Sequence, residues 1–178
     1  MRRPFPRLLV LVPHRDVRLP MRAWSGSLFA AGLQGAWSFP WVVPLATLDR
    51  KLSDGELKSL SRALREHSRT SGGKFTAGPT ALAPLPFFPK AFAFGPSLDI
   101  AIPAEPEGPP PIKPISPAVL GSALLYAPPP DGLPDPPQIA FQASALAVMR
   151  FRPLSPGNGH DDDYSFKWEI GKLHWLPK

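Results

Sequence analysis

The sequence predicts an α+β domain of mostly antiparallel sheets, with two helices packed outside them. Two observations carry this fold class: short apolar or alternating runs recur between turn residues, and two longer stretches have helical spacing. The chain has 178 residues, 43% of them hydrophobic, which is enough for one core and short for two. We therefore expect residues 1–178 to form a single domain.

The first third of the chain is predicted to supply two strands and a helix. The apolar run 8–12, bounded by prolines, is typical of a strand buried on both faces. Apolar residues at helical spacing predict a helix over 17–33. The aromatic and β-branched run 37–48 predicts a strand, which Pro40 and Pro44 restrict to a sheet edge or a bulge.

The second helix has the clearest local signal in the chain. Ser53 and Glu56 have the spacing of a capping box, in which each side chain bonds the backbone N–H of the other residue. Leucines then recur on one face, with charged residues on the others. This pattern predicts a helix over 53–67, closed by the glycines that follow.

The rest of the chain is predicted to be extended. Apolar and alternating runs indicate strands at 74–85, 91–102, 118–127, 138–151 and 164–176. The proline-rich stretch 103–117 excludes a helix and predicts an extended connection within the domain. A turn-rich loop at 155–163 joins the last two strands.

Composition excludes several classes of site. The absence of cysteine excludes disulfides, thiolate metal sites and a cysteine nucleophile. The four histidines are not paired at a ligand spacing, and Asp161–Asp163 beside His160 is interpreted as a solvated acidic turn. The motifs of phosphate-binding loops and serine hydrolases are missing. We therefore expect no metal and no cofactor.

Charge and hydropathy limit the kinds of partner that the chain is expected to have. The net charge is +6 and the isoelectric point is about 10, which favours RNA or a nucleotide as partner, although solubility alone would also account for it. Tryptophan and phenylalanine side chains would stack bases, but their spacing is more typical of core residues. No apolar run reaches the length of a membrane span, and the N-terminal one is too short for a signal peptide. We expect a cytoplasmic protein with no membrane partner.

The order of the elements resembles the 2H phosphoesterase superfamily, in particular the bacterial 2'-5' RNA ligase and RNA 2',3'-cyclic phosphodiesterase group. The resemblance rests on residues 7–13 as the opening strand, 36–48 as the strand that carries the first H-x-T motif, and Leu52–Leu57 as the start of the next helix. Residues 145–152 and 164–176 resemble the closing strand pair. The resemblance implies a two-lobed fold with a central cleft between two small sheets.

The two H-x-T histidines of that family are missing. The first falls on Leu45, and only the threonine is retained, as Thr47. The window for the second contains no histidine: one alignment places Ala118 and Leu120 at the motif positions, and another places Gly121 and Ala123 there. In the family one histidine is the general base and the other the general acid, and the threonines bind phosphate oxygens. Leucine and alanine cannot transfer a proton.

The resemblance therefore implies a degenerate phosphoesterase-like domain with no catalytic residue. Thr47, together with Arg150, Arg152 and Lys167, is the candidate site for a phosphate group of a nucleotide or an RNA end. Two alternatives stay open. A displaced histidine would make the chain an active phosphoesterase of altered chemistry, the candidates being His14, His67, His160 and His174. A cleft filled by apolar side chains, which Leu45 favours, would make it a protein-interaction scaffold.

Overall fold

Two helices and mostly antiparallel sheets make up the fold, so the predicted α+β class is confirmed. The structure, a computed structural model, describes residues 6–36, 38–69, 72–86, 91–100, 102, 112–153 and 166–176. The helices are α1 (Arg18–Ala30), which follows a 3-10 turn at Arg15–Val17, and α2 (Asp54–Arg69). The described residues contain ten strands: β1 (Arg7–Pro13), β2 (Val43–Leu48), β3 (Phe75–Pro84), β4 (Phe92–Leu98), β5 (Ile112–Pro114), β6 (Ala118–Val119), β7 (Ala123–Leu125), β8 (Ala140–Phe141), β9 (Ala143–Pro153) and β10 (Phe166–Trp175).

The strands form two sheets. The first has the order β10-β9-β1-β2-β5, and the second has the order β6-β4-β3-β8, with β7 also paired to β4. Every pairing is antiparallel. β1 is the centre of the first sheet, and its residues 8–11 have no solvent exposure. The prediction that this run is buried on both faces is therefore confirmed.

β2 lies inside the first sheet, between β1 and β5. The prediction of an edge strand was wrong, and the alternative prediction of a bulge is confirmed. Val10 pairs with Pro44 and Leu9 pairs with Ala46, so Leu45 has no partner on β1. A proline cannot donate to the ladder, and an internal strand accommodates it because the bulge interrupts the pairing beside it.

The extended half of the chain is more divided than predicted. The stretch 118–127 contains two short strands, β6 and β7, and 138–151 begins with the separate strand β8. Within the proline-rich connection, β5 is extended and pairs with β2, while 103–111 lies outside the described residues, as does the loop at 155–163.

The buried residues form two clusters. The first core cluster includes the apolar faces of α1 and α2 and side chains from both sheets. The second core cluster contains no helix residue; it joins Leu8, Met149 and Phe151 of the first sheet to Ala93 and Val119 of the second. The two sheets therefore pack directly against each other through the second core cluster.

The capping box at the start of α2 is confirmed. The backbone N–H of Ser53 donates to a Glu56 carboxylate oxygen at 2.7 Å, and the Glu56 N–H donates to the Ser53 hydroxyl at 3.2 Å. Arg50 forms an ion pair with the same carboxylate. At the other end, the glycines at 72 and 73 have φ of 65° and 77°, a left-handed conformation that ends the helix at little steric cost.

We predict that the cap makes stability depend on acid pH. Hydrogen bonds from Arg50 and then from Ser53 lower the pKa of Glu56 from 4.5 to about 2. The cap stabilises the fold fully above pH 4.5, and this contribution is lost as the pH falls through about 2. The free energy of unfolding, measured by urea denaturation between pH 5 and 2, should fall less steeply for Glu56→Gln than for the wild type. Glu66→Gln is the matched control and should follow the wild type; equal slopes for all three proteins would contradict the prediction.

Candidate functional site

Two windows lie side by side in the structure. One is the strand that contains Leu45 and Thr47, and the other is the segment 115–127, in which the resemblance places the second H-x-T motif. The N–H of Ile115 donates to the Leu45 carbonyl at 2.8 Å, and the N–H of Gly121 donates to the Val42 carbonyl at 2.9 Å. The segment from 112 to 121 therefore runs antiparallel along β2. Any group that acted on a ligand from both windows would lie along this contact.

Apolar side chains occupy the positions at which the resemblance places the two histidines. Leu45, Ala118 and Leu120 are 2%, 5% and 0% exposed, and all three belong to the first core cluster. The alternative alignment changes nothing chemically: Ala123 is fully buried, and a Cβ at Gly121 would lie 2.3 Å from a ring carbon of Phe39. Neither alignment leaves room there for a solvated ligand or a group that transfers protons.

Thr47 does not share a side of the sheet with Leu45. It pairs with Leu8, which lies in the second core cluster, whereas Leu45 lies in the first. Residues two apart on a regular strand share a face, and the bulge at Leu45 breaks that rule. The Thr47 hydroxyl lies 3.5 Å from the carbonyl of Lys113, whose ammonium group is paired with Asp49 at 3.1 Å.

Two of the four candidate phosphate-binding residues, Thr47 and Arg150, lie on opposite faces of the first sheet. Leu8, which pairs with Thr47, also pairs with Met149, and Arg150 is the next residue, so its side chain projects from the opposite face of the sheet. Arg152 and Lys167 occupy paired register positions on β9 and β10, and their side chains lie outside the described structure. The described residues thus give no phosphate site that combines Thr47 with Arg150.

The three described histidines lie outside the two windows. His14 follows β1, and its Nδ1 lies 2.9 Å from the Asp16 carboxylate. His67, near the end of α2, has its Nε2 3.0 Å from the carbonyl of Asp99. His174 pairs with Leu146 in the register of β10, and His160 lies outside the described residues.

A cavity of about 690 Å³ opens where the end of β1 meets the last turns of α2. We call it the basic cavity, because its lining contains five residues with basic side chains: His14, Arg15, Arg18, Arg65 and Arg69. The described lining includes no aspartate or glutamate. Leu64 and Phe75 are its buried apolar lining residues. Trp175, which is 69% exposed, also belongs to the lining.

Backbone hydrogen bonds fix the walls of the basic cavity. The His14 N–H donates to the Gln142 carbonyl, and the Leu176 N–H donates to the Ser144 carbonyl, each at 2.8 Å. Arg65 and Arg69 are one helical turn apart on α2 and therefore lie on one face of it. Lys172 of β10 holds the other end of this helix: its ammonium group pairs with Asp54 at 2.6 Å and donates to the Leu52 carbonyl at 3.1 Å.

A second cavity, of about 450 Å³, lies beside the first and is mostly apolar. We call it the apolar cavity; its lining includes Phe39, Trp41, Met149, Trp168 and Ile170. Trp168 and Ile170 are 43% and 46% exposed. The end of β1 separates the two cavities, and His14 and Arg18 line both.

Sequence reasoning missed the basic cavity as a site. Its cationic residues come from 14–18 and 65–69, and Trp175 follows more than 100 residues later. The available signals were weak: basic residues at helical spacing in both segments, in a chain of positive net charge.

Among the described residues, no group of three or more histidine, aspartate or glutamate side chains is placed to hold a metal ion, and no helix is long and apolar enough to cross a membrane. In the comparisons with known proteins, no family model matches the chain, and no curated protein or solved structure is significantly similar to it.

We predict that a histidine at position 45 cannot be accommodated. An imidazole there would lose its hydrogen bonds to water and would disturb the packing of a residue that is 2% exposed. Leu45→His should lower the free energy of unfolding by about 3 kcal/mol. Leu45→Met, which conserves volume, should cost less than about 1.5 kcal/mol.

The same denaturant titrations should show Thr47→Val within about 0.5 kcal/mol of the wild type, because its hydroxyl makes only one long contact. A Leu45→His protein as stable as the wild type would show that position 45 is not closed to polar groups.

Proposed function

We propose that the chain is a non-catalytic binding domain with the two-lobed layout of a 2H phosphoesterase, which holds a nucleotide or an RNA end without cleaving it. The observation that carries the proposal is the burial of Leu45, Ala118 and Leu120 in one core cluster. Phosphodiester hydrolysis in that family needs a base and an acid on the two sides of the cleft. Side chains that cannot exchange protons stand at both positions.

The layout itself is supported by the contact between the two windows. The resemblance implies that the strand at 36–48 and the window at 115–127, which would carry the two motifs, face each other across two sheets. Hydrogen bonds join these segments, and β6 belongs to the second sheet while β2 belongs to the first. These hydrogen bonds support a two-lobed fold in which packed apolar side chains fill the cleft.

The binding half of the proposal rests on the basic cavity and not on the cleft. The residue paired with Thr47 on β5 is Lys113, whose ammonium group is already paired with Asp49. In contrast, four arginines line the basic cavity, which is open to solvent. Arginine is well suited to phosphate because its planar guanidinium group donates two parallel hydrogen bonds. A phosphate-bearing ligand therefore fits the basic cavity better than the cleft.

A protein-interaction scaffold is the second candidate function, and the apolar packing of the cleft favours it. Phe39 stacks on Phe151 with ring centroids 6.0 Å apart and fills the space above Gly121. The apolar cavity next to it exposes Trp168 and Ile170. Aromatic side chains of this kind are common at protein interfaces.

We predict that the purified chain binds an RNA oligonucleotide that ends in a 2',3'-cyclic phosphate and does not hydrolyse it. Binding would be followed by fluorescence anisotropy, and the terminal phosphate by ³¹P NMR over hours. The cyclic phosphate signal should persist, and the anisotropy should fall as salt is raised, because phosphate contacts release counterions.

Two variants separate the alternatives. Hydrolysis that His14→Ala or His174→Ala abolishes would overturn the proposal in favour of a displaced histidine. The absence of both hydrolysis and RNA binding would overturn the binding half and leave the scaffold as the function.

A further inference from the structure

We infer that the basic cavity is a site for a mononucleotide that carries two or three phosphate groups, with its base stacked on Trp175. The inference rests on the proposed function for the class of ligand, a nucleotide. It goes beyond that function in the number of phosphate groups and in the residues that hold each part of the ligand.

The charge of the basic cavity sets the number of phosphate groups. Two carboxylates outside the lining pair with lining side chains: Asp16 with His14 at 2.9 Å, and Glu66 with Arg69 at 3.2 Å. Among the described residues, Arg15, Arg18 and Arg65 have no carboxylate within ion-pair distance. Three uncompensated guanidinium groups match the three to four negative charges of a nucleoside di- or triphosphate, and exceed the charge of one phosphate group.

The aromatic lining points to a base. Trp175 lines the basic cavity while 69% of its surface is exposed, so one face of the indole ring is open to a ligand. Bases stack on such rings with little regard to sequence. Phe75 and Leu64, which are 6% and 2% exposed, lie among the lining residues and give the ring of a ligand an apolar surface.

The size of the basic cavity agrees with a whole nucleotide. Its volume of about 690 Å³ lies within the range of small-molecule sites, which is roughly 300–1,000 Å³. A lone phosphate ion would leave most of this space, and Trp175, without contact. The lining thus combines the two parts of one ligand: cations for the phosphate chain, and an aromatic ring for the base.

Isothermal titration calorimetry of the full chain with ATP tests the inference. We expect saturable 1:1 binding that weakens as salt is raised. Tripolyphosphate, which keeps the charge, and adenosine, which keeps the base, should each bind at least tenfold more weakly than ATP. If tripolyphosphate binds as well as ATP, the base makes no contact and the inference fails.

Variants assign the two parts of the site. Trp175→Ala should weaken ATP binding by about fivefold or more, with little effect on tripolyphosphate. Arg18→Gln/Arg65→Gln should weaken both ligands at least tenfold. Arg62→Gln is the matched control, since Arg62 is also an exposed arginine of α2 but does not line the basic cavity, and it should bind as the wild type. Thermal unfolding of each variant establishes that it is folded.

The outcomes separate this inference from the proposed function. Binding of the cyclic-phosphate RNA without hydrolysis, combined with no binding of ATP, would overturn the inference and leave the proposed function standing. ATP binding that Trp175→Ala and the double arginine variant leave unchanged would place the nucleotide elsewhere and would also overturn it. ATP binding that only the cavity variants weaken supports the inference, whatever the chain does with RNA.

Discussion

The close approach of residues 120 and 121 to their neighbours is the constraint on which the rest of the structure depends. A Cβ at Gly95 would lie 1.8 Å from the Leu120 carbonyl oxygen, so only glycine lets β4 approach this segment so closely. On its other side, Gly121 receives the ring of Phe39, which in turn stacks on Phe151 of the first sheet. Residues 120 and 121 are therefore closely packed between the two sheets.

This constraint determines which side chains lie at the contact between β2 and the segment 112–121. Once the segment is held so tightly, Ala118 and Leu120 face the first core cluster, and the bulge in β2 turns Leu45 into the same cluster. The buried leucines gain apolar contacts, each worth about 1.5–3 kcal/mol on burial. A polar group in place of either leucine would lose these contacts and its hydrogen bonds to water. The bulge also places Leu45 and Thr47 on opposite sides of the sheet.

Local interactions made much of the fold predictable from the sequence. The capping box needs only Ser53 and Glu56, three residues apart, and the burial of β1 follows from an uninterrupted apolar run. The edge position expected for β2 was wrong, because the pairing of β5 with β2 depends on a segment more than 60 residues later, and no local signal shows that a bulge accommodates Pro44. The cavities were unpredictable for the same reason. Arg18 and Arg65 line one cavity only because β1, α1 and α2 meet there. The residues next to each arginine in the sequence do not indicate that the two lie in one cavity.

The side chains of the basic cavity are better suited to binding an anion than to transferring protons. A guanidinium group stays protonated at any physiological pH, so the four arginines can bind a phosphate group but cannot act as acid or base. His14 is the only histidine among the described lining residues, and its Nδ1 is already engaged with Asp16. Phosphodiester hydrolysis of the 2H kind needs two groups that exchange protons on opposite sides of the ligand, and the described lining does not offer such a pair. For the proposed function, the composition of the cavity and the burial of Leu45 and Leu120 are therefore two independent arguments for binding without turnover.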